Sequence, residues 1–196
     1  ESIDQTLDLV KGLFLKPTET IKKYVNQDNM ILSIILLVLG AVITGLFVLV
    51  LLKEVIGVAF GMLFGASQSL FSSSMNMEIP YFKVFLITTL VAVATYFLEA
   101  LIAFVFSNKW FKVDVDYKKM IHLFAALSVF TSLAFLASIL GVYISFYIVY
   151  GLLLANFIVR TIVFAISLKE IWNTSEAHTM YTVLGTILIT VLLVVL

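Results

Sequence analysis

Hydrophobic and polar positions alternate in blocks along this chain rather than in short periods. Residues 1–29 mix both kinds: Ile3, Leu7, Val10 and Phe14 recur at helical spacing while Asp4, Asp8 and Lys11 point elsewhere, which predicts an amphipathic helix. Ser2 and Gln5 suit a capping box at its start. Pro17 suits the first turn of a second short helix, Thr18 to Val25, with Lys22 and Lys23 at its far end. The pair is expected to lie at the membrane interface.

From Met30 the pattern changes to long apolar runs. Met30–Leu52 holds 23 residues without a charge, enough to cross a hydrocarbon core of about 30 Å. Phe82–Phe106, Met120–Leu140, Val142–Leu168 and Thr179–Leu196 are four further apolar runs, and Gly141 allows a tight turn between the third and fourth spans. Tyr143, Tyr147 and Tyr150 supply aromatic groups at one membrane boundary. Lys53 and Glu54 interrupt the first run, after which Val55–Phe71 is apolar but rich in small residues and predicts an interfacial or re-entrant helix.

The lysines decide between five and six spans. With five spans and the N-terminus inside, Lys11, Lys16, Lys22, Lys23, Lys109, Lys112, Lys118, Lys119 and Lys169 lie on the inner side, against Lys53 and Lys83 outside. A sixth span at Val55–Phe71 would place the Lys109–Lys119 loop outside and erase the bias. The expected fold is therefore an all-α integral membrane bundle: an interfacial segment at 1–29 and a five-span domain at 30–196 (30–52, 82–106, 120–140, 142–168 and 179–196), N-terminus cytoplasmic and C-terminus outside.

Composition agrees with this. Of 196 residues, 62% are hydrophobic and 12% charged, where a soluble domain carries about 25% charged residues. Twelve basic residues balance twelve acidic ones, so no basic surface invites nucleic acid. The chain has no cysteine and two well-separated histidines, His122 and His178, which favours neither thiol chemistry nor a transition-metal site. Each histidine stands at the inner start of a span and reads as a structural residue. No nucleophile with a base and no phosphate-binding glycine loop is present, so the expectation is a non-enzymatic protein without cofactor or metal. The first residue is Glu1, and the native start is expected further upstream.

Two ionisable residues interrupt the span interiors, Glu99 and Arg160. Each falls five residues past the middle of its span, about 7.5 Å toward the inner face, and the two spans run the same way, so the charges share a depth. An unpaired charge at this depth costs several kcal/mol, which favours contact between them. Asn156, one turn before Arg160, is placed to add a hydrogen bond. The pair can serve to fix helix register, or form an intramembrane polar site; Arg160 alone can also snorkel to the inner surface.

Two further patterns concern surfaces. Gly57, Gly61 and Gly65 share one helical face and suit either close packing on a neighbouring span or a homo-oligomer seam. Lys109, Lys112, Lys118 and Lys119 alternate with Trp110, Phe111 and Tyr117, a mixture suited to anionic lipid, topological anchoring or a cytoplasmic partner.

The order of these features resembles the YIP-domain family of small multi-span membrane proteins. The opening Gly12-Leu13-Phe14-Leu15-Lys16-Pro17 with Thr20 to Tyr24, the Tyr117-Lys118-Lys119 lead into the third span, and Lys169-Glu170-Ile171-Trp172 through Asn173 to His178 carry the likeness. The resemblance implies five spans with a cytoplasmic N-terminus, and for a bacterial member a plasma-membrane scaffold or organiser acting through membrane lipids, other membrane proteins or a homo-oligomer. The alternative is a transporter or channel for a small solute, ion or lipid that uses Glu99 and Arg160.

Overall fold

The structure, a computed structural model, describes residues 2–27, 29–64 and 80–195, with side chains at 7–27, 29–56 and 80–193. Among these residues there are seven α-helices and no strand: α1 (Ser2–Leu15), α2 (Pro17–Val25), α3 (Met30–Phe64), α4 (Tyr81–Val105), α5 (Tyr117–Val142), α6 (Phe146–Trp172) and α7 (Glu176–Val195). One π-helical turn, Phe106–Trp110, prolongs α4. The five helices from α3 onward are long and apolar enough to cross a membrane, so the chain is an all-α integral membrane bundle.

Helix α5 is the axis. Every residue from Met120 to Val129 is buried, so this stretch is enclosed on all sides, with His122 and Ser128 as its polar members. Helices α3, α4 and α6 pack around it, α2 covers its first turns, and α7 closes the far side against α4 and α6. Aromatic and aliphatic side chains on the outer faces of α3, α4, α6 and α7 stay exposed, as lipid-facing surfaces do. Tyr143, Tyr147 and Tyr150 stand outward at one end as the sequence predicts.

Several boundaries differ from the sequence reading. Helix α3 does not break at Lys53 and Glu54 but runs on to Phe64, 35 residues or about 52 Å in all. The expected separate helix at Val55–Phe71 is thus the continuation of α3 up to Phe64, and 65–71 lie outside the described residues. Lysine and glutamate are good helix formers, so a charged pair ends an apolar run without ending its helix. Gly57 and Gly61 belong to this continuation, while Gly65 and the surroundings of all three lie outside the described residues. The third turn also moves: α5 passes through Gly141, and Ser145 caps α6 by accepting from the Tyr147 amide at 3.2 Å.

The N-terminal helices pack against the bundle. On α1 the buried stripe is Leu9 and Leu13; Leu7, expected on the same face as Val10, points outward, and Phe14 is largely exposed with its ring edge-on to Phe130. Helix α1 therefore has two apolar faces, one against protein and one free to meet lipid. Ser2, Ile3 and Gln5 lie outside the side chains described. Ile21, Tyr24 and Val25 of α2 are buried on α5 and α6. Pro17 opens α2, with Glu19 in its first turn and Lys22 and Lys23 in its last, which complements the helix dipole.

Close approach of α7 to the π-helical turn depends on Gly185, where an added Cβ would stand 2.5 Å from Cε1 and Cζ of Phe106. Phe106 cannot retreat freely, because Trp110 packs edge-on against it at 4.4 Å. Gly185→Val is expected to lower unfolding free energy in detergent by about 1–3 kcal/mol, the usual cost of overpacking. Gly151→Ala, with open space around it, is expected to leave the thermal midpoint unchanged or slightly raised; equal losses for both would refute the packing argument.

Candidate functional site

The polar site is built by four helices. Glu99 projects from α4, Arg160 from α6, and Nη2 of Arg160 donates to Oε2 of Glu99. Their side chains are 12% and 23% exposed respectively, so the pair is largely withdrawn from the surroundings. The α5 ring of Phe124 lies 5.9 Å from the guanidinium carbon, adding a cation–π contact. Phe164, one turn beyond Arg160, packs on Phe124 with centroids 5.1 Å apart and supports that ring.

Beside the pair is a cavity of about 200 Å³ lined by Glu99, Arg160, Phe124, Phe157 and Phe164, by Thr161, and by Thr186, Ile187, Thr190 and Val191 of α7. Thr186 donates to the Thr182 carbonyl at 2.7 Å, but the buried hydroxyls of Thr182 and Thr190 meet no protein partner. The predicted ion pair is therefore present. Its third expected member is not: Asn156 lines a separate, mainly apolar cavity of about 450 Å³ beneath the α1–α2 elbow, with Leu13, Phe14, Pro17 and Phe130 nearby. Asn156 Oδ1 is buried there without a hydrogen bond. Arg160 reaches away from Asn156's surroundings because its long side chain follows the carboxylate.

The α7 threonines were missed by reading the sequence for charges. Thr179, Thr182, Thr186 and Thr190 recur every three or four residues, all are buried, and that stripe is the signal that finds them.

At the lysine-bearing end, two buried histidines hold the bundle together. Tyr24 Oη meets Ser33 Oγ at 2.6 Å, and Ser33 Oγ in turn meets His122 Nδ1, joining α2, α3 and α5. The Tyr24 and His122 rings also pack edge-on at 5.8 Å. His178 Nε2 lies 3.3 Å from Ser107 Oγ, and Phe111 packs edge-on against its ring at 4.7 Å, joining α7 to the end of α4. The reading of both histidines as structural groups fits these contacts.

The basic loop is fixed as well. The Asn108 side chain donates to the Val115 carbonyl at 2.8 Å and accepts from the Val115 amide at 3.2 Å, closing 108–115 as a backbone pair would. Lys112 takes a left-handed conformation at φ 53° within it, and Asp116 caps α5 through the Lys118 amide at 3.0 Å. Trp110 is 71% exposed on this loop, with Lys109 and Lys112 exposed beside it and Lys118 and Lys119 half-buried below. Among the described residues no three His, Asp or Glu side chains converge on a point.

No protein-family model, curated protein or solved structure matches this chain.

Two outcomes are expected. Glu99→Gln or Arg160→Gln alone should destabilise the bundle by about 3–5 kcal/mol in detergent unfolding, because each leaves the other charge buried and unpaired, whereas the double variant should recover most of the loss; additive losses would show that the pair is not coupled. Burial pushes the Tyr24 hydroxyl up to about 12, with the Ser33 contact opposing it. Its raised folded value makes the neutral phenol stabilising below about pH 10 and removes that contribution as pH climbs from 10 to 12. Tyr24→Phe should flatten the fall in stability across that window, and an unchanged alkaline limb would sink this assignment.

Proposed function

We propose that this chain is a non-enzymatic membrane scaffold, an organiser of lipid or protein partners, whose contact surface is the basic aromatic loop. The observation that carries the reading is the rigid presentation of Trp110 with Lys109 and Lys112 on a loop closed by the Asn108–Val115 pairing. A fixed surface of this kind loses little conformational entropy on binding. Lysines at a membrane boundary each contribute about 1 kcal/mol toward an anionic leaflet, and an indole anchors at headgroup level.

In this reading the loop faces the cytoplasm of a bacterial cell, the C-terminus lies outside, and the chain is a relative of the YIP-domain proteins, as the Gly12–Pro17 and Lys169–His178 motifs suggest. The docked α1–α2 pair supports it, because it adds a second amphipathic surface at the same end of the bundle. Membrane lipids, another membrane protein or a further copy of the chain are the partners such a surface accepts.

One observation favours a second reading, a transporter or channel for a small solute, ion or lipid. The Glu99–Arg160 pair borders a cavity that also meets the unpartnered Thr190 hydroxyl, a composition common to solute pathways. The two readings separate in one reconstitution. For the scaffold, a Lys109→Gln/Lys112→Gln variant should keep its thermal midpoint yet retain several-fold less phosphatidylglycerol in native mass spectrometry, since about 1 kcal/mol per lysine is lost. Its proteoliposomes should hold ion and solute gradients as protein-free vesicles do. Unchanged lipid retention would remove the loop from the mechanism, and a flux abolished by Glu99→Gln would replace the scaffold with the transporter.

A further inference from the structure

Among the described residues eight buried polar side-chain atoms lack a protein partner; Thr89 on α4, Thr131 and Ser138 on α5 and Asn156 on α6 carry four of them, and the other four fall along one column. On α7, His178, Thr182, Thr186 and Thr190 follow one another at four-residue steps along one face, each 8% exposed or less. On α6, Ser167 stands two turns from Arg160 on the same face and is fully buried. On the π-helical turn that prolongs α4, Ser107 stands eight residues after Glu99, is also fully buried, and meets His178. These faces belong to three helices that border one another or share the cavity at Glu99–Arg160. Four atoms along this column, His178 Nδ1, Ser167 Oγ, Thr182 Oγ1 and Thr190 Oγ1, hydrogen-bond to no protein group.

A threonine in a transmembrane helix ordinarily bonds to the carbonyl one turn back, as Thr186 does to Thr182. Where the hydroxyl is instead unmatched and enclosed, it loses its bond to water without replacement, and such groups in native proteins accompany bound water. Of the four groups Thr190 borders the cavity of about 200 Å³ that also meets Glu99 and Arg160, and that volume holds several waters. Arg160 also has more N–H donors than its contact with Glu99 uses.

We propose that α4, α6 and α7 enclose a hydrated polar lane, running from His178 and Ser107 at the lysine-bearing end to the cavity at Glu99 and Arg160, whose bound ligand is water. Phe111, packed on His178, stands at its mouth, and the ion pair with Phe124 forms its floor. The lane makes the ion pair reachable by water from one side of the membrane. It goes beyond the scaffold reading, which holds or fails independently of it.

The absence of native cysteine allows a direct test. Single cysteines at Ser167, Thr182 and Thr186 of the full chain in proteoliposomes would be reacted with a small hydrophilic methanethiosulfonate. Ala126→Cys in the dry core and Leu188→Cys on the lipid-facing side serve as references. Because only the thiolate reacts and only a hydrated thiol ionises readily, the lane cysteines should react on the order of tenfold faster than both references. Rates equal to the references would overturn the lane. Where a cysteine variant does not fold, Thr182→Val and Thr190→Val decide. Removal of a dry, unmatched hydroxyl raises the thermal midpoint, whereas removal of a hydrated one leaves it unchanged or lowers it. A raised midpoint in both variants would likewise overturn the proposal.

Discussion

The ion pair between Glu99 and Arg160 is the constraint to which the rest of the bundle conforms. Helices α4 and α6 are separated by α5 on one side and α7 on the other, and the pair reaches across that ring. A single unpaired charge at this depth costs several kcal/mol, whereas hydrogen bonds between transmembrane helices average about 0.6 kcal/mol. The pair therefore outweighs any one hydroxyl contact in setting the axial register of α4 against α6. Phe124 and Phe164 follow from it, because the guanidinium needs an aromatic face and that face needs support. The composition of α7 follows too: bulky aliphatic side chains at 186 and 190 would press on the charged groups, and threonines give them a polar wall.

The second dependency runs through α5. A helix buried on all sides from Met120 to Val129 needs cover at its first turns, where α3, α4 and α6 leave a gap at the lysine-bearing end. Helix α2 supplies it with Ile21, Tyr24 and Val25. His122 and Ser33 are buried polar groups that would be costly if unmatched, and the Tyr24 hydroxyl completes the chain that satisfies Ser33 and His122 together. The amphipathic segment is in this sense part of the folded core. Leu7 and Leu15 of the same segment stay exposed on its other side.

Much of this architecture is legible in residue order because the bilayer imposes simple rules. Span length, lysine bias and the high cost of a buried charge locate five helices and bring Glu99 to Arg160 from composition and spacing alone. What escapes is decided by local competition. Lys53 and Glu54 end the apolar run but not α3, because hydropathy reports the solvent while helix propensity reports the backbone. Leu9 and Leu13 replace Leu7 and Phe14 as the buried stripe of α1, since either face is apolar enough and tertiary packing chooses. Asn156 shares a helical face with Arg160, yet a long flexible side chain reaches its partner without keeping its neighbour's company. The contact of Ser33 with His122 spans 89 residues, a separation at which spacing carries no signal.

The hydroxyl stripe of α7 and its one close glycine contact belong to the same physical problem. Lipid tails are as apolar as leucine, so α7 gains little from burying aliphatic side chains and must be held by close packing and polar contacts. Gly185 provides the close packing, letting the Phe106 ring lie against the helix backbone. His178 provides a polar contact through Ser107 at the lysine-bearing end. Between and beyond these points, Thr182, Thr186 and Thr190 give small side chains that permit approach, but only Thr186 closes its hydroxyl on its own helix. A valine would occupy nearly the same volume at 182 and 190 without an unmatched oxygen, so packing alone favours valine. At 190 the oxygen lies on the wall of the cavity that Glu99 and Arg160 border, so a polar side chain there faces the two charges rather than lipid.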